Sequence, residues 1–88
     1  MRINQARIQI NVKLFSGLDT SAAVTDYDSE KGIALDLRDG TRIKQVLKAL
    51  KLYPLGSLVV FVNGHKASIQ DTLDNGDVLF CMKPVSGG

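Results

Sequence analysis

Apolar and polar residues alternate from Ile8 to Leu14, with Ile8, Ile10, Val12 and Leu14 set against Gln9, Asn11 and Lys13. A period of two is that of a strand with one buried face. Ile33, Leu35 and Leu37 alternate in the same way with Ala34 and Asp36 and run into Asp39 and Gly40, so a second strand is expected to end in a tight turn. The period then changes. Ile43, Val46, Leu47 and Leu50 recur at helical spacing and form one buried stripe, with Thr41 placed to cap the first turn through its hydroxyl. Burying each of these side chains stabilises the fold by roughly 1.5–3 kcal/mol before entropy costs, which makes this helix the expected lid over the sheet. Pro54 and Gly56 close the segment.

Leu58 to Val62 is a continuous apolar run, rich in β-branched residues, that stops at Asn63 and Gly64, the pair best suited to a hairpin turn. His65 to Ala67 is expected to pair back briefly. Ser68 to Leu73 reads as a short helical turn, and Asp74, Asn75, Gly76 and Asp77 as a polar turn before a last strand from Val78 to Met82. Regular pairing should end at Lys83 and Pro84, because proline has no N–H to donate. Ser16 to Lys31 keeps no period and is read as a long polar loop, rich in Asp19, Asp26, Asp28 and Glu30. The expected order is β, β, α, β, short β, β.

Composition narrows the function classes. The 88 residues, 44% of them hydrophobic, suit one small domain covering 1–88. No run of about 18 apolar residues occurs, and Met1 to Arg7 carries no signal-like segment, so neither membrane nor export is expected and the cytoplasm is the expected compartment. Cys81 is the single cysteine, which excludes an internal disulfide and a site of clustered thiolates. A net charge of +2 gives no case for nucleic acid, and the basic residues Arg42, Lys44, Lys48 and Lys51 on and after the helix lack interleaved aromatics; a solvated helix face is the simpler reading.

The sequence closes on Pro84, Val85, Ser86, Gly87 and Gly88. Two successive glycines form an arm that has no Cβ and is thin enough to enter a narrow enzyme channel. Together with Val62, Asn63, Gly64 and the run Leu73, Asp74, Asn75, Gly76, Asp77, Val78, this close resembles the MoaD and ThiS sulfur carriers, which are ubiquitin-like proteins. The resemblance implies an α+β, ubiquitin-like β-grasp fold, a mixed four- to five-stranded sheet wrapped around one main helix, with the first and last strands parallel in its middle. It also implies a flexible tail at 84–88, with Gly88 as the adenylate and thiocarboxylate acceptor and Gly87 as the slender approach to it.

In that chemistry a ubiquitin-activating-type adenylyltransferase uses ATP to activate the terminal carboxylate, and a sulfur donor converts it to a thiocarboxylate. One difficult acyl transfer is thereby divided into two easier steps. The chain itself would be a carrier, not an enzyme, holding no cofactor or metal, and the large subunit of molybdopterin synthase is the favoured sulfur acceptor. A ThiS-type carrier for thiazole synthesis and a ubiquitin-like modifier conjugated through Gly88 share the same tail.

Strand alternation sorts the remaining candidates. Leu79 and Cys81 fall on one face of the last strand and Val78, Phe80 and Met82 on the other, while Leu58, Val60 and Val62 oppose Val59 and Phe61. Both faces are apolar, yet one helix covers one of them. Val59, Phe61, Phe80 and Met82, with Pro84 and Val85 beyond them, are the expected partner-binding surface; the alternatives are that the long loop at 16–31 folds over this face or that it pairs with a second copy of the chain. Cys81 is expected to be an inert core thiol, His65 an exposed turn residue, and Asp74 and Asp77 turn-forming groups.

Overall fold

In the computed structural model, residues 6–15 and 30–84 are described. The loop expected at 16–31 therefore falls, apart from Glu30 and Lys31, outside the described residues, as do Val85, Ser86, Gly87 and Gly88. The elements are β1 (Arg7–Leu14), β2 (Ile33–Arg38), α1 (Ile43–Ala49), a 3₁₀ turn at Leu55–Ser57, β3 (Val59–Val62), β4 (His65–Ala67) and β5 (Val78–Met82). One five-stranded sheet runs β2-β1-β5-β3-β4. β1 and β5 are parallel neighbours near its middle, and every other pairing is antiparallel.

The periods read from the sequence become burial. Ile8, Ile10, Val12 and Leu14 of β1 lie under α1 with Val60, Leu79 and Cys81, and the helix contributes Ile43, Val46 and Leu47 to the same cluster. Leu50 caps the helix C-terminus and is buried as well. Leu52 and Leu73, which no period singled out, are fully enclosed in this core. Ile33, Leu35 and Leu37 of β2 are half-buried at its edge. No helix among the described residues is long and apolar enough to cross a membrane.

Two local expectations are corrected. Thr41 does not cap α1; its hydroxyl turns back and donates to the Arg38 carbonyl at 2.6 Å, closing the turn from β2. Arg42 is the N-cap instead, and its backbone N–H donates to Gln45 Oε1 at 2.8 Å, which satisfies one of the free donors at the helix start. Ser68 to Leu73 forms a turn without helix. Asp71 accepts a hydrogen bond from Ser68 N at 3.0 Å, and Thr72 bridges to Arg42, so this segment is tied to the start of α1. Arg42 adds a bond from its guanidinium to the Gln70 carbonyl at 2.7 Å.

The polar turn before β5 extends the central seam. Gly76 N donates to the Gln9 carbonyl and Gln9 N donates to Asn75 Oδ1, both at 2.8 Å, while Asn11 N donates to the Asp77 carbonyl at 3.0 Å. At the other edge of β1, Gly32 has φ +71, and a Cβ there would meet the Val12 carbonyl at 2.8 Å and overlap the Asn11 side chain. Asn11 fills that space, donating from Nδ2 to the Lys31 carbonyl at 2.7 Å. Glycine is required at this position by both its backbone angle and its contacts.

Candidate functional site: the open face of the sheet

The outward side chains of β5 and β3 meet in register. Phe61 pairs with Phe80 and Val59 with Met82 across the two strands, and all four side chains are half-buried. The structure thus brings together Val59, Phe61, Phe80 and Met82, four of the five residues that alternation placed on this face. Pro84 is exposed two residues past the end of β5, and Val85, Gly87 and Gly88 lie outside the described residues.

Phe15, the residue after β1, joins this row. Its ring stacks on Phe80 with centroids 5.8 Å apart and planes 12° from parallel, and it remains 43% exposed. With Phe61, Gly64 and Met82 the two rings line a shallow apolar depression of about 320 Å³. The sequence signal for Phe15 was present. Its position continues the outward phase of Asn11 and Lys13, but strand β1 was expected to end at Leu14.

The register also sets the charge around this surface. Lys13 lies opposite Phe80 on β1, and Lys66 lies opposite Phe61 on β4, so one line across four strands reads Lys13, Phe80, Phe61, Lys66. A lysine stands at each end of an aromatic pair. Farther toward β2 the same face becomes polar, with Gln9, Asn11, Asp36 and an Arg7–Asp36 ion pair at 3.4 Å whose two side chains are more than half exposed.

The covered side of the same strands is chemically quiet. Cys81 has no exposed surface, and burial pushes its thiol up from 9.0 to about 12, so it is neutral and shielded at ordinary pH. That agrees with the reading of Cys81 as a small core hydrophobe. His65 is exposed at the start of β4, and Asp74 and Asp77 serve the turn: Asp77 accepts from Asp74 N at 2.8 Å and from Asn63 Nδ2 at 2.9 Å. Among the described residues no cluster of His, Cys, Asp and Glu is arranged to hold a metal ion.

Solved structures resemble the chain over nearly its whole length. SAMP1 from Haloferax volcanii matches 91% of this chain and 99% of its own, with a TM-score of 0.65 and 20% identity. The HVO 2177 protein of the same organism matches 100% and 93%, with a TM-score of 0.72 and 19% identity. A Pyrococcus furiosus protein provisionally assigned as molybdopterin converting factor subunit 1 matches 89% and 99%, with a TM-score of 0.64 and 22% identity. The fold is a ubiquitin-like β-grasp. No family model and no curated protein sequence matches the chain. The ubiquitin-like fold agrees with the expectation drawn from the close of the sequence, including the parallel pair of first and last strands.

Proposed function

We propose that the chain is a sulfur carrier whose Gly88 carboxylate is adenylated and then converted to a thiocarboxylate for molybdopterin synthesis. The observation that carries this reading is the placement of β5. It lies in the middle of a ubiquitin-like sheet, ends at Met82, and leads through Lys83 and exposed Pro84 directly into the sequence Val85, Ser86, Gly87, Gly88. A strand held in the centre of the sheet thus stands directly before a stretch of sequence that closes on two residues without a Cβ. The likeness to the Pyrococcus furiosus protein supports the molybdopterin branch.

On this reading the globule supplies recognition and the tail supplies the reacting atom. A carboxylate is a poor acyl donor, so its oxygen must first bond to the α-phosphorus of ATP in the activating partner, with pyrophosphate leaving. A sulfide-level sulfur nucleophile from a donor then attacks the Gly88 carbonyl carbon, and the acyl–phosphate bond breaks with AMP leaving. The resulting thiocarboxylate stays attached to the carrier and reaches the large subunit of molybdopterin synthase without escaping as free sulfide. Val59, Phe61, Phe80 and Met82, with Phe15, are the proposed surface for these partners, and Pro84 and Val85 the start of the inserted arm. Lys13 and Lys66 favour a partner with carboxylates at the rim of its contact.

A second reading is favoured by SAMP1, a ubiquitin-like small archaeal modifier, and by the likeness to a ubiquitin from Caldiarchaeum subterraneum at 17% identity and a TM-score of 0.53. There the activated Gly88 would be attacked by a lysine amine of a target protein. Intact mass of the mature protein from its own cells separates the readings. A carrier ends at Gly88 and gains about 16 Da when sulfur replaces the terminal oxygen, whereas a modifier is recovered in conjugates linked through Gly88. Gly88→Val is expected to abolish ATP-dependent adenylation with the fold intact. Full adenylation of that variant, or a mature protein that continues untrimmed past Gly88, would overturn the proposal.

A further inference from the structure

Asparagine followed by glycine closes into a succinimide more readily than other pairs, because the missing Cβ lets the glycine nitrogen approach the asparagine side-chain carbonyl. The sequence contains two such pairs, Asn63–Gly64 and Asn75–Gly76. Both lie in turns against β5, and the fold restrains them in different ways. At the second pair, the backbone of Gln9 holds both reacting groups: Gln9 N donates to Asn75 Oδ1 and Gly76 N donates to Gln9 O, each at 2.8 Å. At the first, both ends of the carboxamide are occupied. Asn63 Oδ1 accepts from Val78 N and Asn63 Nδ2 donates to Asp77 Oδ1, each at 2.9 Å.

We propose that Asn63–Gly64 is a site of spontaneous deamidation that the native hydrogen bonds hold shut, and that its conversion costs the fold more than conversion at Asn75–Gly76, because the product can still accept from Val78 N but cannot remake the bond to Asp77. In the reaction the Gly64 nitrogen bonds to Asn63 Cγ, the Cγ–Nδ2 bond breaks, and the amide proton leaves with that nitrogen as ammonia. Water then opens the ring to an aspartyl or isoaspartyl residue. Closure requires the carboxamide to leave Val78 and Asp77, so it needs local opening of the β3–β4 turn. The product has lost the donor to Asp77 and sets a second carboxylate against it, while the oxygen that Asp77 gives to Asp74 N is already in use. An isoaspartyl linkage also lengthens a tight turn whose residues hold φ of 52 at Asn63 and 86 at Gly64. Conversion at Asn75 is milder, since an aspartate oxygen can still accept from Gln9 N.

The location gives the change a consequence that rests on the docking reading. Asn63 and Gly64 border the open face in a depression lined also by Lys13, Lys31, Glu30 and Phe80, so conversion adds a second negative charge to a rim of mixed charge.

The full chain and a synthetic peptide of residues 58–68 are incubated in the same mildly alkaline buffer and mapped by mass spectrometry. The peptide is expected to gain about 1 Da at Asn63 as oxygen replaces nitrogen. Conversion in the folded chain should lag by at least about 30-fold, because two hydrogen bonds, one of them to a carboxylate, must first break. Equal rates in chain and peptide would overturn the protection. In a second arm, Asn63→Asp should lower the thermal midpoint by more than Asn75→Asp, and failure of Asn63→Asp alone to fold is the same result in stronger form. An Asn75→Asp chain that loses as much as or more than Asn63→Asp would overturn the assignment of Asn63 as the more damaging site.

Discussion

The two sides of β3 and β5 are built from the same kind of residue yet have different fates. Leu79 and Cys81 face α1 and are fully enclosed, whereas Phe80 and Met82, next to them in the chain, face outward and stay half-buried. Hydrophobic character alone does not separate these sets. What separates them is that one helix covers one face of the sheet. The covered residues account for stability, and the open ones are free to be selected for another purpose, which makes Phe80 a better candidate for function than Leu79.

The largest test of this contrast sets neighbours against each other. Leu79→Ala should lower unfolding free energy by about 2–5 kcal/mol in denaturant titration, because it leaves a cavity under the helix. Phe80→Glu should retain most of that stability and instead weaken binding to the proposed activating partner by about 30-fold or more. If Phe80→Glu binds every partner normally, the open face has no docking role. If it unfolds the protein, the face belongs to the core.

Titration sharpens the same contrast from the covered side. Cys81 is held protonated up to about 12 in the folded state, while the unfolded thiol ionises near 9.0. The folded pKa is the higher, so the unfolded chain loses its proton first. The stability that this thiol protects is therefore complete below about 9 and is lost as the pH rises toward 12. Cys81→Ala should flatten that part of the pH profile, and native Cys81 should resist alkylation at pH 8 until denaturant is added.

Smaller effects are expected toward the polar half of the open face. Gly32→Ala should cost about 1–3 kcal/mol, since it places a Cβ at a left-handed angle against Asn11 and the Val12 carbonyl. Arg7→Ala should change stability by less than about 1 kcal/mol, because the Arg7–Asp36 pair is exposed to water and salt. Both are measured by thermal or urea unfolding. A large effect at Arg7 would mean that the outer edge of the sheet matters more than the central contrast allows.

Periodic elements were legible in the sequence because each side chain along them answers to one repeated geometry. β1, the helix stripe and the opposed faces of β5 all follow from spacing alone. Features set by a competing partner were not. Thr41 looked like a cap, but the Arg38 carbonyl across the turn captured its hydroxyl, and Arg42 with Gln45 took over the helix start. Leu52 follows Lys51, whose φ of 59 redirects the chain so that Leu52 enters the core outside any helical repeat. Ser68 to Leu73 is shaped by its bridge to Arg42, a contact between residues distant in sequence. Of the candidate site, Val59, Phe61, Phe80 and Met82 were readable from alternation, while strand register set Lys13 and Lys66 beside them and Phe15, which continues the outward phase of β1, joined them by stacking on Phe80.

The position of β5 also orders events in the life of the molecule. It is the last strand among the described residues, yet it joins β1 and β2 on one side to β3 and β4 on the other. A nascent polypeptide with β5 still inside the ribosome holds two separate half-sheets and no finished core, because its central pairing spans most of the sequence. Translation must pass β5 before the globule can close, so a prematurely terminated product lacks the scaffold on which any handling enzyme could grip.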